Sequence, residues 1–245
     1  MTIKSDWERD LKAEQWFSGV LDNYYYPEIL QKFNNIEGYN RWEVERTNDM
    51  GWQQKGVDLF LIDNKSKDRY FIDEKAQLSW ATINKTLPTF AFELGYKKNN
   101  VIKIGWLLDD KKKTDYYYLF RHINGRVHER IDSFIVDKVK VRYLKKYLNN
   151  LGLSPKFLSD ITNKLMTGLD ITKDLIEIQA KKTDNIKRYE FNKIQGKLKR
   201  CIRITVSPDL HECPVNLVIF IDWITKEFKE NQPFKTRKIS ISTQG

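Results

Sequence analysis

Two apolar runs separated by a polar stretch form the clearest pattern in the chain. Gly56, Val57, Asp58, Leu59, Phe60, Leu61 and Ile62 make the first, and Tyr70, Phe71, Ile72, Asp73, Glu74, Lys75, Ala76 and Gln77 the second. Residues 63–69 between them hold turn formers and charges. This arrangement predicts a β-hairpin with a longer loop. Each predicted strand carries an acid where a buried strand should be apolar, Asp58 in one and Asp73 in the other. A charge in such a position is costly unless something pairs with it. The two acids are equidistant from the middle of the polar loop, so a symmetric hairpin makes them cross-strand neighbours, roughly 5 Å apart at Cβ. Two carboxylates that close repel each other, and a divalent cation is the usual reason to keep both. Side chains alternate along a strand, so Lys75 and Gln77 share a face with Asp73 while Glu74 points away.

The remaining pattern frames this hairpin. Residues 5–33 have helical spacing, with Ser5 or Asp6 as a cap, Glu8 closing a capping box, and Trp16, Phe17, Val20 and Leu21 marking the sheet-facing side. Pro27, after Tyr24, Tyr25 and Tyr26, ends or kinks that helix. Residues 40–46 alternate and predict a first strand. Residues 79–85 read as a turn of helix or a loop. Strands are expected at 88–94, at 101–108 and at 115–120, the last two as a hairpin pair. Residues 137–168 switch to helical spacing, with Ser154 and Pro155 starting a second helix. The charged stretch 170–197 predicts further helix and a connector, and strands return at 201–206 and 215–221. A helix, then strands around a charged hairpin, then helices, implies an α/β (α+β) fold with a central mixed β-sheet flanked by helices. The expected division is a core over 1–135, a helical addition over 136–198 and C-terminal strands over 199–245 returning to the core.

Composition changes this picture only in part. The chain has 245 residues, 40% of them hydrophobic and 13% aromatic, which suffices for a packed core. No run approaches a membrane span and the first residues lack the apolar centre of a signal peptide, so a cytoplasmic protein without membrane contact is expected. Cys201 and Cys213 are the only cysteines. They make no disulfide framework, and Cys201 with His211, Glu212 and Cys213 matches no zinc-ligand spacing. A net charge of +10 suits a polyanionic partner. It equally suits a soluble lysine-rich surface, to which the clusters at 111–113, 181–182 and 197–200 conform.

An aspartate followed on the next strand by an acid two residues before a lysine resembles the PD-(D/E)XK nuclease superfamily. The motif residues here are Gly56, Val57 and Asp58, then Ile72, Asp73, Glu74 and Lys75, and the resemblance covers roughly residues 5–125. It implies a restriction-endonuclease-like core: an N-terminal helix, a three-strand meander, and a crossover helix to another strand. No proline precedes Asp58, and no crossover helix is evident after Gln77. The resemblance also implies magnesium-dependent cleavage of phosphodiester bonds, with DNA as partner and manganese as a substitute metal. Asp58, Asp73 and the carbonyl of Glu74 would be the metal ligands. Lys75 would orient the attacking water or stabilise the charge that develops in the transition state. An acid from the first helix often completes such sites, and Glu14 is the candidate here, with Glu8 and Asp22 as alternatives. Gln54 and Gln77, each four residues from an aspartate, would contact phosphate or water. The segment 137–197 would shape substrate choice or the contacts of a homodimer.

The plain alternatives are specific too. Asp58 and Asp73 could be edge-strand acids with Lys75 as an ordinary ion pair of roughly 0–1 kcal/mol. Glu14, Gln54 and Gln77 could be solvated. The tyrosines at 24–26 and 116–118 could stack on bases, but aromatic strand residues are mostly core. A nucleic-acid-binding module without cleavage, or a protein-interaction factor, would then remain.

Overall fold

The alternation around the hairpin is realised in a mixed α/β structure containing two six-stranded sheets. A computed structural model describes residues 7–37, 40–78, 81, 87–178, 185–210, 212–227 and 232–241. In chain order these form α1 (Trp7–Val20), a π-helical turn (Leu21–Tyr25), α2 (Tyr26–Glu37), β1 (Trp42–Arg46), α3 (Met50–Gln54), β2 (Leu59–Asp63), β3 (Arg69–Ala76), β4 (Phe90–Lys98) and β5 (Val101–Ile104). Then come β6 (Tyr116–Arg126), β7 (Arg130–Lys140), α4 (Val141–Asn150), α5 (Pro155–Thr167), β8 (Leu175–Ile178), β9 (Lys187–Phe191), β10 (Ile202–Val206), β11 (Val215–Ile219), α6 (Ile221–Glu227) and β12 (Phe234–Ser240). The capping box expected at residues 5–8 and most of the segment 79–85 lie outside the described residues.

Two compact units make up the chain, and they interleave along it. The first takes Trp7–Leu87, Lys111–Arg142 and the segment from Phe234 onward; the second takes Pro88–Asp110 and Tyr143–Pro233. Three consecutive regions were expected.

In the first unit the sheet order is β1-β2-β3-β6-β7-β12. β1, β2 and β3 form an antiparallel meander, β6 runs parallel to β3, and β7 and β12 add antiparallel strands. The connection from β3 to β6 contains β4 and β5, which belong to the other unit, where a crossover helix would be expected from the resemblance. α1, the π turn and α2 cover one face. Phe17, Leu21, Tyr25, Tyr26 and Ile29 are buried against Leu59, Ile72, Phe120, Phe134 and Ile239. Phe17 and Tyr25 meet Phe120 edge-on at 5.5 and 5.8 Å. Each such side chain contributes about 1.5–3 kcal/mol through burial. The expected kink at Pro27 takes the form of the π turn: proline has no N–H to donate back into the helix, and the Tyr26 N–H bonds five residues back to the Leu21 carbonyl. On the other face Arg121 and Asp137 are both fully buried and bond each other, with the Thr236 hydroxyl donating to Asp137 at 2.5 Å.

The second unit holds an all-antiparallel sheet in the order β5-β4-β11-β10-β9-β8. Ser154 caps α5 by accepting the Phe157 N–H, and Pro155 starts it, as its sequence predicts. Several expectations are corrected. β5 ends at Ile104 and pairs with β4 through a turn at Asn99 and Asn100, both at positive φ, so 101–108 is not the partner of 115–120. Residues 137–140 finish β7 rather than begin a helix, because Asp137 and Val139 are fully buried strand positions. Residues 175–178 and 187–191 are strands, not helix.

Candidate active site

The first unit builds the candidate site from the end of the β2–β3 hairpin. The ladder pairs Leu59 with Ile72, Phe60 with Phe71, Leu61 with Tyr70 and Ile62 with Arg69. Asp58 lies one residue beyond the end of this ladder, and its carboxyl is close enough to that of Asp73 to share a hydrogen bond. The loop that sets this register is held by Asp63, whose carboxylate accepts the Lys65 N–H at 2.9 Å and the Arg41 guanidinium at 2.9 Å. The Arg41 hydrogen bond holds the Asp63 carboxyl down at about 2.

Asp58 is delivered to its position by a turn. α3 is capped by Asp49, whose side chain accepts the Gly51 N–H at 2.7 Å, and the turn that follows it passes through Gly56, which has φ +72°. A Cβ there would sit 2.8 Å from Thr114 Oγ1 and 3.4 Å from Asp73 Oδ2, so this position requires glycine on two counts. Asp58 itself is firmly tied. Its N–H bonds the Ile72 carbonyl at 2.9 Å, its carbonyl accepts from Thr47 at 3.0 Å, and its carboxylate accepts the Glu74 N–H at 2.7 Å.

Asp73 is 1% exposed, and one of its oxygens is paired with the Lys75 ammonium. Burial pushes its carboxyl up to about 7; the Asp58 charge and a hydrogen bond with Asp58 push the same way, against Lys75. Burial alone would lower the Lys75 pKa, but the charges of Asp73, Asp58 and Glu14 outweigh it and hold the ammonium well above its ordinary value. Glu14 projects from α1 into the same group. Its carboxyl is raised by burial and by Asp58 and Asp10, against Lys75.

A cleft of about 540 Å³ opens here, lined among others by Glu14, Gln15, Gln53, Asp58, Glu74 and Lys75. Asp73 is not among the residues that line it, and neither are Gln54 and Gln77. Gln54 is exposed at the end of α3, where its carbonyl accepts Lys112 Nζ at 2.9 Å. Gln77 follows β3, with its N–H on the Phe120 carbonyl at 3.0 Å. Gln53 takes the cleft position expected of Gln54. The Glu8 side chain is outside the described residues, and Asp22 is engaged by Arg46 at 2.7 and 2.8 Å.

Arg46 escaped the sequence reading. It bonds Glu74 at 2.6 Å as well as Asp22, and the Tyr26 hydroxyl also donates to Glu74. The middle residue of the motif is thus fastened to β1 and to the start of α2. A signal existed: in the alternation Trp42, Val44, Arg46 the cation falls on the half-buried side of β1. Tyr25, Tyr26, Tyr117 and Tyr118 are buried, the core reading for those four, while Tyr24 is exposed and Tyr116 half-buried.

Three carboxyl groups around the Lys75 ammonium leave negative charge that a divalent cation would offset, and an all-oxygen donor set suits magnesium or manganese. Among the described residues no three His, Cys, Asp or Glu side chains lie close enough together to hold a metal by themselves. Magnesium keeps several waters and so needs few protein ligands. Comparison with protein-family models, with curated proteins and with solved structures finds no match. Among the described residues no helix is long and apolar enough to cross a membrane.

Proposed function

We propose that the chain is a metal-dependent nuclease of the PD-(D/E)XK type that hydrolyses phosphodiester bonds in DNA in the cytoplasm, with a homodimer as a compatible assembly. The observation that carries this reading is the gathering of Glu14, Asp58 and Lys75 at one cleft, with the buried Asp73 paired to Lys75 and its carboxyl raised by burial first and then by Asp58. The antiparallel meander β1-β2-β3, followed by a strand parallel to β3 under an N-terminal helix, supports it as well. Bound magnesium would acidify a water and offset charge on the scissile phosphate. Asp58 and Asp73 would hold the ion, helped by the Glu74 carbonyl, and Glu14 would take a proton from or orient a water at the cleft wall. Lys75 would leave Asp73 and turn its ammonium to the phosphate oxygen that gains charge, the usual place for such a donor. Gln53 and Gln15 would bind the substrate at the cleft rim.

Plasmid DNA incubated with and without magnesium tests this directly. Wild type should nick or linearise it only with metal, and Asp73→Ala and Lys75→Ala should not. Unchanged cleavage in both variants would sink the reading. One observation favours a second reading, a nucleic-acid-binding module without cleavage: Asp73 is closed off by Lys75 and does not line the cleft. That module would bind DNA with a steep salt dependence and no turnover in magnesium or manganese.

A further inference from the structure

Away from the cleft, the same sheet gathers cations on two adjacent strands. In the β7–β12 ladder Lys138 stands directly opposite Lys235, and Arg237 lies two positions further along β12 on the same face. Like charges directly opposite each other across an antiparallel pair are destabilising. The Lys138 ammonium is also half-buried, 5.1 Å from the Phe33 ring centre and 4.9 Å from that of Tyr118. Burial first, then Arg237 and Lys235, lower its pKa to about 8.

The groups facing Lys138 from the packed elements offer little compensation. β12 contributes Lys235 and Arg237, and α2 contributes the Phe33 ring and, through Arg237, Glu28. Glu28 is already shared between Lys32 and Arg237, the latter at 3.9 Å. Glu74, on the neighbouring strand, is committed to Arg46 and Tyr26. The two rings account for the ammonium of Lys138 by cation–π attraction. They do not account for setting Lys235 and Arg237 beside it. An anion seated among the three would turn mutual repulsion into attraction.

We propose that Lys138, Lys235 and Arg237 form a phosphate-binding site on this face of β7 and β12, which seats a backbone phosphate of a polynucleotide. The identity of the polymer rests on the nuclease reading; the anion site rests on the three cations. Lys235 is exposed and Arg237 half-exposed, so phosphate can reach both. Lys138 supplies the charge at the base of the site.

Binding of a labelled DNA duplex, measured by fluorescence anisotropy in EDTA over a range of salt, tests the site independently of cleavage. Lys138→Met, Lys235→Gln and Arg237→Gln should each weaken binding about three- to tenfold and flatten the slope of log affinity against log salt by about 1. Lys138→Met should at the same time raise the melting temperature of the DNA-free protein, which a purely structural lysine would not do. Unchanged affinity and slope in all three variants, or absence of duplex binding by the wild type, overturn the polynucleotide assignment, and absence of Lys235-dependent phosphate binding as well overturns the site. Millimolar inorganic phosphate provides the second arm. If it binds in a Lys235-dependent way while duplex binding is unaffected by the variants, the polynucleotide assignment is overturned. Magnesium-dependent plasmid cleavage scored in parallel reports separately on the nuclease reading, so failure of one does not mask the other.

Discussion

The carboxylate of Asp58 accepts the backbone N–H of Glu74 at 2.7 Å, so the first acid of the candidate site is fastened to the middle residue of the second element. The bond joins β3 to the chain just ahead of β2, where the ladder has already ended at Leu59 and Ile72. It also gives Asp58 two separable roles, as a charge and as a hydrogen-bond acceptor.

Substitutions at Asp58 should separate those roles. Asp58→Asn keeps an acceptor and loses the charge, so it should fold with wild-type stability and lose magnesium binding in calorimetric titration. Asp58→Ala loses both and should cost a further 1–2 kcal/mol, or about that, in urea denaturation, the usual loss when a buried-side amide forfeits a charged partner.

Asp73 makes stability depend on pH in an unusual direction for a carboxylate. Its folded pKa is raised from 3.8 to about 7, so between those values the folded state holds a proton that the unfolded state has released. The metal-free protein should therefore lose stability as the pH rises from about 4 toward about 7. Asp73→Asn should flatten that part of the profile and be the more stable protein at pH 8, as expected where a site trades stability for function. Magnesium affinity of the wild type should rise with pH through about 7, since binding must displace the proton. Chemical denaturation at a series of pH values checks the first two statements, and titration calorimetry in buffers of different ionisation heat checks the third.

Lys75 should move metal binding and cleavage in opposite directions. Lys75→Met removes the ammonium that now offsets Asp73, Asp58 and Glu14. Magnesium should then bind more tightly, while the cleavage rate should fall by about 10²–10⁴-fold if Lys75 assists proton transfer or charge stabilisation. Weaker metal binding in this variant would show that Lys75 holds the carboxylates in place instead.

Arg46 is expected to act on the fold around the motif. Arg46→Met leaves Glu74, which is 8% exposed at its side chain, with Tyr26 and without its cation, and it frees Asp22. Stripping one partner from a largely buried pair should cost about 2–4 kcal/mol in thermal or urea unfolding. Arg46→Lys, which cannot make the two-pronged contact to Asp22, should recover only part of that loss.

What could be read along the chain was whatever a short period encodes. The hairpin and its register from Leu59–Ile72 to Ile62–Arg69 follow from an alternation of period two on both sides of a loop of fixed length, and one residue of slip would have turned every apolar side chain outward. The α1 face and the start of α5 follow from helical spacing and a Ser-Pro cap. Other features depended on partners far away in sequence. The parallel pairing of β3 with β6, the presence of two sheets, and the placement of 137–140 in a strand were set by long-range packing, because an apolar residue suits any neighbour that removes it from water. At the site the same limit applies. The choice of Gln53 over Gln54 for the cleft depended on the direction of a five-residue helix, and the link from Arg46 to Glu74 and Asp22 joins three segments that only the fold brings together. The sequence by itself determined the acids and the register of the hairpin that carries them; the tertiary structure decided what surrounds them, because charge is carried by residues and its environment by their neighbours.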